Sequence, residues 1–346
     1  MRRIIGVSLV GFGAFLLAAG VLVRFYVAPM LIGAPPDVYQ VTRLRAENAA
    51  YFDAAAGAPR TGATVVATNT VRGDPRAGRD GVAVWDSTTV VQDVGRGTTI
   101  ELQKQRYAFD RRTGELRNCC GAAIDGDTAV RQSGVGLFWP VRPRKEGLKL
   151  FDTATLRSWP AVFDGEERVG GTLTYRFVVR IPETRAGGEV PAVPGELLGR
   201  GQGSPAVPVD RYYRAEGTYW VDPRTGAPID QRQRVLSELR PRQGPGRLVV
   251  ADFTLRMTPE SRHALQARSD DGAGKIRILR TVLPLVCGAA GLLLIAAGAL
   301  LSANGGRRGG AGSVPGAGPP PRGADAPGPL TPGSAGRTGE RSEPSA

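Results

Sequence analysis

Cys119 and Cys120 stand side by side in "FDRRTGELRNCCG" (109–121), and the chain has only one other cysteine, Cys287. Adjacent thiols could bind a metal, attack a substrate or bridge to one another. A metal needs more ligands than lie nearby, because the chain holds a single histidine, His263. That excludes a multi-histidine zinc site, and any Ser-His-Asp triad would have to use this one side chain. Asp164, Glu166 and Glu167 cluster in "FDGEERVGG", and a pair of acids is the minimum for glycoside hydrolysis. Gly170 and Gly171 follow at once, so the cluster reads as a soluble hairpin apex. "IDGDTA" (124–129) resembles the Asp-x-Asp of sugar-nucleotide transfer only superficially. The expectation is a non-enzymatic protein with no metal and no cofactor.

Aromatic residues offer binding chemistry instead. Trp85, Trp139, Trp159 and Trp220 all lie in the middle of the chain, and Phe177 and Phe253 sit in alternating segments. Such side chains stack on sugars or line a lipid path, and they also fill cores. These six are the candidate ligand-lining residues.

The elements that position them lie between two apolar runs. Ile4 to Val23 and Thr281 to Leu301 carry no charge, and each is long enough to cross a hydrocarbon core of ~30 Å. The first is longer than the apolar region of a cleaved signal, so it reads as an anchor. Arg2, Arg3, Arg307 and Arg308 place both termini in the cytoplasm, against the weaker pull of Lys275, Arg277 and Arg280 at the end of a long translocated segment. The division is therefore 1–3 cytoplasmic, 4–23 span, 24–280 extracytoplasmic domain, 281–301 span, and 302–346 a Gly/Pro-rich disordered cytoplasmic tail. The setting is the plasma membrane, with the main domain in the periplasm.

The net charge of +13 and 45 basic residues would suggest nucleic acid in a soluble protein. An extracytoplasmic domain has none to meet, and no nucleic-acid partner is expected.

The domain itself reads as mainly β, with antiparallel sheets and a few helices. "TLTYRFVVRI" (172–181) and "VVADFTLRM" (249–257) alternate with period two. Asp-x-Arg-Thr-Gly recurs at 110–114 and 222–226, with Asp and Gly where hairpin turns need them. Thr258, Pro259 and Glu260 start a helix that fades before Gly272. Residues 185–208 are too rich in Gly and Pro for regular structure, and read as a long surface loop.

"GVAVWD", "AFDRRTG", "NCCG", "GLFWP", "FDTATLRSWPAVFDGEERVGGTLTYRFVVRIPET" and "RYYRAEGTYWVDPRTGAPID" follow in this order between the spans. The chain thereby resembles the actinobacterial PorA-type envelope family, which includes a mycobacterial and corynebacterial lipomannan elongation control factor. The resemblance implies a periplasmic domain that assists synthesis or transport of mannose-bearing lipoglycans, with no known catalytic residue. Its two-span layout is also similar to scavenger-receptor class B proteins, whose β-rich domains carry a lipid tunnel. The implied partners are membrane lipids or lipid-linked glycans, together with membrane glycosyltransferases. The alternatives are a structural or adhesive envelope protein that binds protein partners, and a pore, although an outer-membrane barrel would have no apolar spanning helices.

With the compartment set, the cysteines can be read. Cα atoms joined by one peptide lie ~3.8 Å apart, below the usual disulfide range, so a Cys119–Cys120 bridge is tight. An oxidising compartment disfavours idle thiols, and Cys287 lies inside its span. The expectation is a vicinal disulfide pinning the turn before Gly121, with two buried thiols or an intermolecular bridge as alternatives.

Overall fold

Each apolar run is part of a longer helix in the computed structural model, which describes residues 2–79 and 81–306. Helix α1 (Arg2–Leu22) continues through a π-helical turn, Val23–Val27, into α2 (Ala28–Leu31). At the other end α3 (Pro259–Arg277) passes through a second π-helical turn, Ile278–Val282, into α4 (Leu283–Gly306). Among the described residues two helices are long and apolar enough to cross a membrane, Ile4–Leu31 and Pro259–Ala303. The expected tail begins within α4, and from residue 307 it lies outside the described residues.

The spans pack antiparallel through glycine. Gly6, Gly13 and Gly20 recur every seventh residue and face Gly298, Gly291 and the Pro284–Cys287 turn. A Cβ at Gly13 would lie 2.6 Å from the Gly291 carbonyl oxygen, and one at Gly298 would lie 2.5 Å from that of Gly6. Only residues without side chains let the backbones approach this closely, which is how helices associate in lipid. Cys287 belongs to this contact, since a Cβ at Gly20 would meet its Cβ at 3.2 Å.

Pro284 stands in the first turn of α4. Having no N–H, it cannot bond the carbonyl four residues back, that of Arg280. The Arg24 guanidinium donates to this oxygen instead. The bond ties the two helices together where each passes through its π-helical turn.

Between the helices lies one antiparallel sheet of twelve strands. In chain order these are β1 (Tyr39–Asp53), β2 (Ala58–Gly73), β3 (Val82–Asp93), β4 (Thr98–Asp110), β5 (Leu116–Arg117), β6 (Ala123–Ile124), β7 (Leu148–Asp152), β8 (Arg157–Val169), β9 (Thr172–Arg185), β12 (Val209–Val221), β13 (Pro228–Pro241) and β14 (Leu248–Met257). The strand order is β5-β4-β3-β2-β1-β14-β13-β12-β9-β8-β7, with β6 pairing on β4. The sheet curls into a half-barrel, and one extended segment bridges its edges. Leu116 N donates to Gly134 O (2.7 Å), Val135 N to Lys149 O (2.8 Å) and Phe151 N to Val135 O (2.8 Å).

The strands alternate as their sequence predicts. Phe177, Val179 and Ile181 on β9 point inward and are buried, as are Ala251, Phe253, Leu255 and Met257 on β14. Three other expectations need correction. Asp164, Glu166 and Glu167 are not at a hairpin apex, because β8 runs on to Val169 and the turn falls at Gly170–Gly171. Residues 185–208 are not wholly irregular: the pair β10 (Val193–Pro194) and β11 (Ala206–Val207) flanks a short 3-10 turn. That turn buries Leu198 against Val209, Leu239 and Leu248, capping the barrel end remote from the helices. Helix α3 does not fade before Gly272. Ser269 and Asp270 are held on the 222–226 turn, and this anchorage overrides the poor helix propensity of Asp-Asp-Gly-Ala-Gly.

Candidate functional site: a blind cavity above the helix pair

Two turns of like sequence fix the membrane-side end of the barrel. In the first, Asp110 Oδ1 accepts from the backbone N–H groups of Arg112 and Thr113, both at 2.9 Å. Arg111 then clamps the chain leaving α2, its Nε donating to Ala34 O (2.8 Å) while its carbonyl accepts from Ala34 N (2.7 Å). In the second, Asp222 is fully buried and accepts from Arg224 Nη2 (2.6 Å) and Ser269 Oγ (2.8 Å). Arg224 Nη2 also reaches Asp270 (2.6 Å). Further along, Gln266 Nε2 donates to Val169 O (2.7 Å), and Arg268 Nη1 to Tyr39 O (3.0 Å). Helix α3 therefore runs beneath the strand ends and is pinned to several of them.

Above it is a cavity of about 740 Å³, within the ~300–1,000 Å³ usual for small-ligand sites. Its helix-side wall includes Leu31, Ile32, Ile276 and Leu279, next to the segments read as spans. At the other end it stops. Ala46, Ala49, Tyr51, Ala63 and Val65 fill the lumen, each 2 % exposed or less, and Tyr51 is held by Asp93 at 3.0 Å. The cavity is blind.

Its wall is amphipathic. Val179, Ile181, Ala215, Val235, Phe253 and Leu255 line one side. Across from them, Thr42, Asn69, Thr89 and Gln103 sit in register over β1 to β4, and the next row brings Gln40, Ser87 and Gln105. Asn69 Nδ2 donates to Ser87 Oγ (2.7 Å) and Thr89 Oγ1 (2.8 Å). Gln105 Nε2 donates to Gln103 Oε1 (3.1 Å), and Gln103 Nε2 to Glu101 Oε1 (3.0 Å). Glu101 pairs with Arg211 at 3.7 Å. Asp152 also faces this space, with Thr155 N and Thr155 Oγ1 both 2.7 Å from its Oδ1. Burial lifts its carboxyl above the usual range. Burial, and then the nearby Asp152 charge, pushes the phenols of Tyr107, Tyr213 and Tyr219 upward.

Of the six aromatic candidates, Trp85, Trp139 and Phe253 are on the cavity wall. Trp85 Nε1 donates to Pro35 O (3.0 Å), and Trp139 is 1 % exposed. The other three are elsewhere. Phe177 lies behind Trp139, their ring centroids 5.1 Å apart, and is wholly buried in the core. Trp159 is tied to Thr155 Oγ1 (2.9 Å) and packs against the core. Trp220 neighbours the lumen-facing Tyr219, so strand alternation turns it outward, where it donates to Glu167 (2.9 Å).

The cysteines do not line the cavity, and the expected vicinal disulfide is absent: Cys119 and Cys120 are free thiols. Both pack on the outer face of β3 and β4 against Val84, Ala108 and Ala122. Burial, then a hydrogen bond with the Cys120 thiol, raises the Cys119 thiol to about 11. His263 is exposed on α3. The three carboxylates of β8 are engaged in ion pairs, Asp164 and Glu167 with Arg176 (2.9 and 3.0 Å) and Glu166 with Lys145 (2.7 Å). No group of His, Cys, Asp and Glu suited to a metal occurs among the described residues.

Compared with known proteins, residues 5–300 match a family described as Porin PorA. No curated protein matches the chain.

Proposed function

From a chain that belongs to the porin PorA family, and so is a membrane protein of the cell envelope, we infer a non-enzymatic binding role for the sheet domain. It takes an amphiphile, a lipid or lipid-linked glycan, from the membrane into the cavity, and thereby assists lipoglycan synthesis or transport, with membrane glycosyltransferases as the partners served. The observation that carries this reading is the position of the cavity, blind at its far end and walled by Leu31, Ile32, Ile276 and Leu279 beside the spans. Covering an acyl chain is favourable by ~0.8 kcal/mol per methylene, so even a short length of tail would be held.

A pore is the second reading, favoured by the family description and by polar residues inside the barrel. What supports binding over conduction is the packing at the far end of the cavity, where Tyr51 and Val65 are each 1 % exposed or less. Native mass spectrometry of the purified protein, with lipid extraction, separates the two. A stoichiometric lipid, with no conductance in planar bilayers, is the expected result. Conductance without bound lipid would establish the pore.

A further inference from the structure

We propose that the amide and hydroxyl belt of the cavity is a headgroup subsite for a neutral polyhydroxylated head, such as a sugar, so that the ligand binds head inward and tail toward the membrane. This rests on the binding role inferred above and adds its polarity and chemical class. Three observations carry it.

The first is order. Thr42, Asn69, Thr89 and Gln103 are direct register partners across four strands. They form one polar row, not scattered substitutions. Gln231, on β13, brings an amide from the opposite wall. The second is unused capacity. A primary amide offers two donors and an acceptor with two lone pairs. Asn69 uses both donors on Ser87 and Thr89, but its oxygen meets no protein donor among the described residues, and neither does that of Gln105. The Gln231 side chain has no hydrogen-bond partner among the described residues, while its backbone N–H donates to Asp230 Oδ1 (2.8 Å). Such groups favour a partner that both donates and accepts, which is what a hydroxyl does.

The third is charge. A phosphate or carboxylate head is best held by a cation free to turn toward it, and among the described residues the two arginines of the lining already have partners: Arg268 donates to Tyr39 O (3.0 Å) and Gln40 Oε1 (3.5 Å) at the helix-side rim. Arg211 is engaged by Glu101 at 3.7 Å and Ser237 at 2.8 Å, and Asp152 nearby would repel an anion. The helix-side wall, through which a membrane ligand would enter, is apolar, Leu31, Ile32, Ile276 and Leu279, beside the paired Asp271 and Lys275 (2.7 Å). An acyl chain entering first would lie against the amides and leave them unpaired. A head entering first satisfies them and leaves the tail among aliphatic side chains.

The test uses the full chain in phosphatidylcholine nanodiscs, challenged with equal amounts of glucosyl-dioleoylglycerol and dioleoylphosphatidylglycerol and read by native mass spectrometry. The expected result is at least about tenfold enrichment of the glucosyl lipid, since one or two hydrogen bonds are worth roughly that factor. Gln103→Leu or Gln231→Leu should abolish the preference while total bound lipid persists. A wild-type measurement guards against misfolded variants. In a Trp159→Phe, Trp220→Phe background, bromines near the glycerol end of the glucosyl lipid should quench the remaining tryptophans more than bromines near the chain ends. Equal binding of both lipids, an unchanged preference in the leucine variants, or stronger quenching from the chain ends would overturn the head-inward subsite and leave the binding role standing. No bound lipid of either kind would overturn both.

Discussion

Asp222 shows how one carboxylate can hold an element in place. Burial works against its charge, but Arg224, the Arg224 backbone N–H and Ser269 outweigh that effect, and its carboxyl stays below the usual range. Asp222→Ala leaves these donors facing a void. It should destabilise the protein by about 3 kcal/mol, seen as a lower melting temperature and faster proteolysis within α3. A carboxylate depressed in the folded state contributes stability that is present above its unfolded value and lost as pH falls through the folded one. Asp93 and Asp110 are depressed likewise, so stability should decline below about pH 4. Asp152 has the opposite sign. Its raised carboxyl favours the fold at low pH, and that contribution is lost as pH rises through the folded value. Asp152→Asn keeps an oxygen for both Thr155 bonds and should raise the melting temperature at pH 8, with the gain vanishing toward pH 4. None of this was legible in the sequence, where an aspartate in "FDTAT" looks like any turn residue. The polar belt was nearly legible. Gln-Lys-Gln at 103–105 and Gln-Arg-Gln at 231–233 put amides at alternate positions with the charge between. A search for apolar period two passes over a strand whose inward face is polar.

At the scale of elements, the caps, turns and strands were readable because each has a local cause. Thr258 accepts from Ser261 N as an N-cap should, and both Asp-x-Arg-Thr-Gly segments are turns. Their second role was hidden, since the partners of Arg111 and Asp222 lie far along the chain. The same limit hid the length of α3 and the cap built by residues 193–207. The spans were plain from composition, but their pairing is a matter of spacing: glycines at 6, 13 and 20 mark one face of a helix with a near-heptad repeat. This pairing is directly testable. In Gly20→Cys the new Cβ would stand 3.2 Å from that of Cys287, close to disulfide separation. Mild oxidation should link the spans, so that fragments cut within the sheet domain migrate together until reductant is added. Fragments that separate without reductant would disprove the contact.

For the whole molecule, an antiparallel helix pair returns the chain to the side from which it started, and we propose from the basic residues at the two ends that this side is the cytoplasm. A cytoplasm-only reporter is expected to be active when fused after Leu301 and silent after Pro182. The reverse pattern would move the sheet domain, and its ligand, to the other face of the membrane. Whichever face it occupies, α3 and α4 run on from one another through the π-helical turn at 278–282. One end of this rod is embedded in lipid, and the other is riveted to Asp222 and Thr225 beneath the barrel. A rod held in this way is a lever. A bilayer that does not match the hydrophobic length of α4 is accommodated by tilt, and tilt of α4 displaces the floor on which the cavity's occupant rests. Lipid retention should therefore change when the same protein is moved between nanodiscs of short-chain and long-chain phosphatidylcholine, with the thickness of the membrane acting as a control on the domain above it.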